Sequence, residues 1–169
     1  MKMLLRYFAA VVLAVAPLNV AAQDAGEDDH RGDYADPDAN RVMATVYAFM
    51  DGLEARDAEA MRAQVIDGAS VTVVRQTGDG NIVRNMEMDA VIDALAAAEG
   101  TVLEPLFGEY PILEGPVAIV WAPFIYYRDG AFSHCGVNIF NLVDTGADWR
   151  IASVTYSHVE EGCMEPANR

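Results

Sequence analysis

Lysine occurs once in the 169 residues, at position 2, and histidine only three times. With no lysine elsewhere, Schiff-base chemistry and lysine general-base chemistry have no side chain to run on. Basic residues are scarce altogether, 11 against 26 acidic ones. The formal charge of −15 is repelled by phosphate backbones and anionic lipid, which excludes nucleic acid as a partner. The patterns H-E-x-x-H and G-x-S-x-G and zinc-finger spacing are missing, and Gly78-Asp79-Gly80 lacks the glycine run and helix context of a phosphate loop. Neither a metal nor a cofactor is expected. The most apolar stretch, Tyr7 to Pro17, falls short of the ~20 residues that cross a bilayer, so no stable membrane anchor is expected.

What is present begins with a leader. Lys2 and Arg6 precede the apolar run, and small residues follow, ending in Val20-Ala21-Ala22. This three-part order is that of a secretory signal peptide over residues 1–22. It predicts export to the periplasm of a bacterium or secretion from it. In that oxidising setting Cys135 and Cys163, an even pair without C-x-x-C spacing, are expected to form a disulfide.

Residues 23–38 are polar and acidic, with too little apolar surface to offset the entropy of ordering, and read as a flexible lead-in. A domain over 39–163 and a short tail over 164–169 follow. From Pro37 the pattern turns helical: Val42, Val46, Phe49, Met50 and Leu53 recur at three- and four-residue spacing, with Asp36 or Asp38 as cap. A second helix is expected from Asp57, with Met61 and Val65 inward and Gly68 as its stop. Residues 69–76 and 82–88 read as a hairpin around Thr77 to Asn81. Asp89 is expected to cap a third helix over 90–98. The remainder reads as strands over 103–110, 117–127, 131–143 and 149–159, separated by glycine-bearing turns. Helices followed by runs of strand argue an α+β fold, three helices on a strongly bent, mainly antiparallel sheet.

That order, together with Phe49, Gly52-Leu53, Asp57, Met61, Gly68-Ala69 and Trp149-Arg150-Ile151, resembles the nuclear transport factor 2-like (NTF2-like, SnoaL-like) superfamily. Val120-Trp121-Ala122-Pro123, Phe132 to Gly136 and Glu161-Gly162-Cys163 are similar to an exported bacterial group of it labelled lumazine-binding. The resemblance implies a cone with a pocket between sheet and helices, and homodimers formed through the sheet. The superfamily includes isomerases, dehydratases, cyclases and binding subunits, so the fold alone names no activity. The group commonly has an acidic residue where this chain has Asn138. An amide can position a substrate but cannot serve as a general base.

Strand alternation puts Phe132, His134, Asn138 and Phe140 on one side and Cys135, Val137 and Ile139 on the other. The first set is assigned to the cone interior. Phe124 and Tyr126 join it from the preceding strand, and Trp149, Ile151, Ser153, Thr155 and Ser157 from the following one. The expected ligand-binding residues are thus Tyr126, Phe124, Phe132, Asn138, Trp149, Ser153 and Thr155, around a tentative catalytic His134. Unbroken pairing of the last two strands, with Leu142 and Trp149 on one side, turns His158 away from His134. Only a bulge would bring the two imidazoles together.

Three functions fit this reading. One is a module that holds a small, partly apolar molecule without changing it. Another is a cofactor-free lyase or isomerase with His134 as general acid or base, aided by Tyr126 and Asn138. The third uses the apolar outer side of the sheet, with Ile119, Trp121, Ile125, Val137 and Ile139, as an interaction platform.

Overall fold

The structure, a computed structural model, describes residues 34–163. The expected signal peptide, most of the acidic lead-in and the tail lie outside the described residues. Helix α1 runs from Pro37 to Ala55, and Asp36 caps it by accepting a hydrogen bond from the Asp38 amide at 2.9 Å. Proline suits the first helical position, where an amide hydrogen would have no partner in the helix. The face expected from the spacing is the buried one: Val42, Val46, Phe49, Met50 and Leu53 all lie in the core. Helix α2, Ala58–Arg62, is capped by Asp57, whose carboxylate accepts from the Glu59 and Ala60 amides. It ends sooner than its sequence suggests. Val65 already belongs to strand β1, Val65–Thr77, and Gly68, with φ of 74°, lies within that strand instead of stopping a helix.

Strand β1 turns back into β2, Gly80–Glu87, with Thr77 opposite Gly80. Helix α3, Met88–Ala97, follows without a side-chain cap; Asp89 lies in its first turn and pairs with Arg62 of α2, as does Asp93. The single strand expected over 103–110 is broken. Val102–Leu103 forms β3 and Tyr110–Glu114 forms β4, with one isolated bridge from Leu106 to Phe124 between them. Pro105 has no amide hydrogen to give the ladder and Gly108 turns with φ of 61°. Long strands β5, Val117–Arg128, β6, Ala131–Asp144, and β7, Trp149–His158, complete a seven-stranded sheet. Its order is β2-β1-β7-β6-β5-β3, with β4 also on β5, and all pairs are antiparallel except β1 with β7.

The helices cover one side of this sheet, and the core lies between them. On the other side Tyr110, Ile112, Val117, Ile119, Trp121 and Ile139 remain exposed. Cross-strand register puts Tyr110 opposite Trp121, Ile112 opposite Ile119 and Trp121 opposite Ile139, so these side chains form one patch. Cys135 joins Cys163 in the expected disulfide. The bridge spans 28 residues, and closing a loop of that length removes about 3.5 kcal/mol of unfolded-state entropy in the chain-entropy account.

β6 and β7 pack closely at Gly136, where an added Cβ would sit 1.9 Å from the Ser157 carbonyl oxygen. Gly136→Ala is therefore expected to lower stability by about 2 kcal/mol or more, because backbone must move on both strands. Urea unfolding of the variant checks this; an unchanged midpoint would show that the strands separate at no cost.

Candidate functional site

Two irregularities in the sheet decide what faces the helices. In the β6–β7 ladder Asn141 pairs with Ser153 but Leu142 pairs with Ile151, so Ala152 has no partner across the ladder. One extra residue reverses the facing of everything beyond it. Trp149 and Ile151 point inward before the bulge, and Val154, Tyr156 and His158 point inward after it. β1 is irregular at the same level, between Val65 and Ser70. In the β5–β6 ladder Ser133 is skipped, between the Tyr126–His134 and Tyr127–Phe132 pairs.

Four expected site residues lie away from the cavity, and one expected geometry changes. Ser153 and Thr155 lie on the outer side, where the Ser153 hydroxyl accepts from Asn141 Nδ2 at 2.9 Å. Phe132 is exposed and packs edge-on against Tyr127 outside the cavity. Trp149 is buried in the core and lines a separate cleft with Arg41, Gln64 and Arg150. The two imidazoles meet: His134 and His158 stack with centroids 3.8 Å apart and planes 14° apart. Phe124, Tyr126, His134 and Asn138 line the cavity together with Tyr156 and His158.

The cavity between helices and sheet measures about 360 Å³. Its helical wall is apolar, with Phe49, Met50 and Leu53 of α1 and Val91 and Leu95 of α3. Its sheet wall is aromatic. Phe124 meets Tyr156 edge-on at 6.2 Å, and Tyr126 stacks on His134 at 4.7 Å. Arg128 is an exposed member of its lining.

The polar centre is a residue that alternation alone did not single out. Glu104 follows β3 and reaches Asn138 across the cavity, its Oε1 accepting from Asn138 Nδ2 at 2.9 Å. Burial pushes this carboxyl up to about 7; the Asn138 bond opposes the rise and the nearby Glu54 adds to it. Burial also raises the phenols of Tyr126 and Tyr156, and the negative charge of Glu104 raises both further. His134 moves the other way, down to about 4, first because it is desolvated and then because His158 lies against it. Its Nδ1 sits 3.1 Å from the Ser133 hydroxyl. Beside the stack, Arg75 binds Glu160 at 2.5 Å, and His158 Nε2 lies 3.6 Å from the same carboxylate.

A lone glutamate in an apolar stretch, Leu103-Glu104-Pro105-Leu106, was the signal for Glu104. Nothing in the sequence marks Ala152 as a bulge, so unbroken alternation turns His158 away from His134. Among the described residues, no three His, Cys, Asp or Glu side chains come together as a metal site.

No protein-family model and no curated protein matches the sequence. Solved structures do match in fold. A proposed dehydratase of the NTF2-like family from Streptomyces avermitilis superposes with a TM-score of 0.60 at 18% identity, covering 73% of this chain and 97% of that one. An NTF2-like protein with a cystatin-like fold from Novosphingobium aromaticivorans gives 0.60 at 17% identity over 74% and 84%. A proposed scytalone dehydratase from the same organism gives 0.56 at 8% identity over 78% and 94%. The chain thus has the NTF2-like α+β fold.

The raised carboxyl makes a prediction about stability. A group with a pKa near 4.5 unfolded and about 7 folded holds its proton more tightly when folded, so stability is lost as pH rises through 7. His134 contributes the opposite slope, but only between about 4 and 6.5. Above that range Glu104 acts without this opposition. Wild type is expected to lose about 1 kcal/mol relative to Glu104→Gln between pH 6 and 8, the part of the linkage that a carboxyl titrating near 7 supplies over that interval after partial solvent screening. Urea titrations at both pH values check this, and parallel pH profiles for the two proteins would contradict the buried carboxyl.

Proposed function

We propose that the chain is an exported domain that holds a small, partly apolar molecule in its cone. Phe124, Tyr126 and Tyr156 form the ring wall, and the Asn138–Glu104 pair is the polar anchor. The cavity itself carries this reading. Protein interiors leave few voids larger than water, yet about 360 Å³ stays open here, lined by buried core side chains such as Phe124 and Phe140. That volume and its makeup, apolar walls with a few convergent polar groups, match sites that enclose small ligands. Removal of residues 1–22 and a periplasmic or secreted location belong to the same reading, and the Cys135–Cys163 bridge supports it.

A cofactor-free lyase or isomerase is the second reading, favoured by one observation. Groups that exchange protons during catalysis work best with a pKa near the operating pH. Glu104, at about 7, has that property and His134, at about 4, does not. In this reading Glu104 takes the substrate proton, Asn138 orients the carboxylate, and Tyr126 or Tyr156 donates a hydrogen bond to the developing negative charge. The proposed dehydratases among the similar folds give it a precedent.

The exposed patch around Trp121 and Ile119 supports a homodimer through the sheet in either case. Native mass spectrometry of protein isolated from its host is expected to show a dimer with a small molecule retained. Trp121→Asp should give a monomer that keeps the molecule, because Trp121 does not line the cavity. A monomeric wild type would remove the dimer, and a species whose mass leaves no room for a ligand would count against the binding reading.

A further inference from the structure

We infer that the cavity is built for an organic ammonium ion, a ligand with an apolar, ring-bearing body and one primary or secondary ammonium group seated on Glu104 between the rings of Tyr126 and Tyr156. This rests on the small-molecule reading proposed above and deepens it by fixing the charge of the ligand.

The first observation is a missing partner. Among the described residues, every arginine and histidine in an ion pair is paired with another acid, and the Glu104 carboxyl has the Asn138 amide as its side-chain donor. An ionised carboxylate can accept about four hydrogen bonds. Two oxygens in a lined cavity with one donor between them leave most of that capacity unused. Asn138 is itself 4% exposed and held by its place in the middle of β6. Its amide fixes the carboxyl without neutralising it.

The second observation is what surrounds the carboxyl. Glu54 adds a second negative charge, close enough to disfavour ionisation of Glu104. Tyr126 and Tyr156, from β5 and β7, both feel the Glu104 charge in their own titration. Ring faces attract cations, and a buried carboxylate flanked by rings attracts them more strongly than either alone. Phe124 and Phe140 supply apolar contact for the rest of the molecule. The basic groups lining the cavity do not neutralise Glu104: Arg128 is exposed, His158 lies against Glu160, and His134 is held uncharged near neutral pH by burial and by His158. Across the whole chain a formal charge of −15 concentrates cations near the surface and turns anions away.

The chemistry of the alternatives separates them. An ammonium ion binds the ionised form of Glu104, so its arrival drives a proton off the carboxyl and its affinity rises with pH through 7. A neutral carbonyl compound would accept from the protonated form and weaken over the same range. A carboxylate ligand would be repelled by Glu104 and Glu54 alike.

The test uses three probes of similar shape: 2-phenylethylammonium, 2-phenylethanol and 3-phenylpropanoate. Titration calorimetry at pH 7 is expected to give about tenfold or greater preference for the ammonium over the alcohol, with the carboxylate weakest. Ammonium affinity should rise about tenfold from pH 6 to pH 8, following the ionised fraction of a group near 7. Buffers of different ionisation enthalpy should reveal release of about half a proton per ligand at pH 7. Glu104→Gln, which keeps volume and the Asn138 contact, should lose the ammonium preference, the pH dependence and the proton release. Equal or tighter binding of the alcohol or the carboxylate, or ammonium affinity that falls with pH, would overturn the inference and leave the pocket reading intact. Failure of all three probes to bind would overturn both.

Discussion

Ala152 is the residue on which the arrangement of the cavity depends. A strand has two sides and a period of two, so a single unpaired residue in β7 changes which side chains reach the helices from that point onward. Before it, Trp149 and Ile151 close the core; after it, Tyr156 and His158 face the cavity. Without the bulge, Ser153, Thr155 and Ser157 would line that wall and leave it polar and small. The irregularity of β1 at the same level, around Gly68, shows that the two strands depart from regular pairing together. Departures of this kind are how an open sheet bends around a hollow instead of lying flat.

The bulge also sets the electrostatics. Because Tyr156 and His158 turn inward, Glu104 looks across at phenols and His134 is covered by a second imidazole. The two titrating groups are driven in opposite directions, each toward its neutral form, and for the same reason. Water is kept from both, and neither has a counter-ion close enough to repay the loss. Near neutrality His134 is therefore uncharged and Glu104 only about half ionised, despite the strong acidity of the chain. This is a physical condition for holding a partly apolar molecule, and it makes the carboxyl at the cavity's centre responsive to what binds.

Much of the fold was legible from the residues. The helix starts at Pro37 and Asp57, the face of α1, the β1–β2 hairpin, the three long strands and the disulfide all follow from spacing, caps and turn residues. The errors cluster where a tertiary contact overrides a local signal. Gly68 looked like a helix stop because glycine ends helices, yet here its positive φ serves an irregular strand. Asp89 looked like a cap because it precedes an alanine-rich run, yet it is drawn to Arg62 on the neighbouring helix. At the site, alternation along β5 and β6 found Phe124, Tyr126, His134 and Asn138 because both strands keep their register over that stretch. It failed on β7, and on Phe132 beyond the skipped Ser133, because register shifts leave no mark in composition. Glu104 escaped because Pro105 breaks the strand expected over 103–110, so alternation along that strand does not place it.

The division of labour along β6 explains how an open cavity can sit inside a stable sheet. Alternate residues do different work. His134, Asn138 and Phe140 supply one wall of the hollow, while Cys135 between them is tied to Cys163 on the outer side. Gly136 allows the backbone of β7 to come so close that no side chain fits. An empty space of this size forfeits contacts that a filled core would make. The strand bearing its polar anchor is the one most tightly held from behind, by a covalent bridge, by close backbone packing and by ladders on both edges. Rigidity on the outer side lets Asn138 keep Glu104 in place without help from a filled interior, so the geometry that a ligand would meet is present before it arrives.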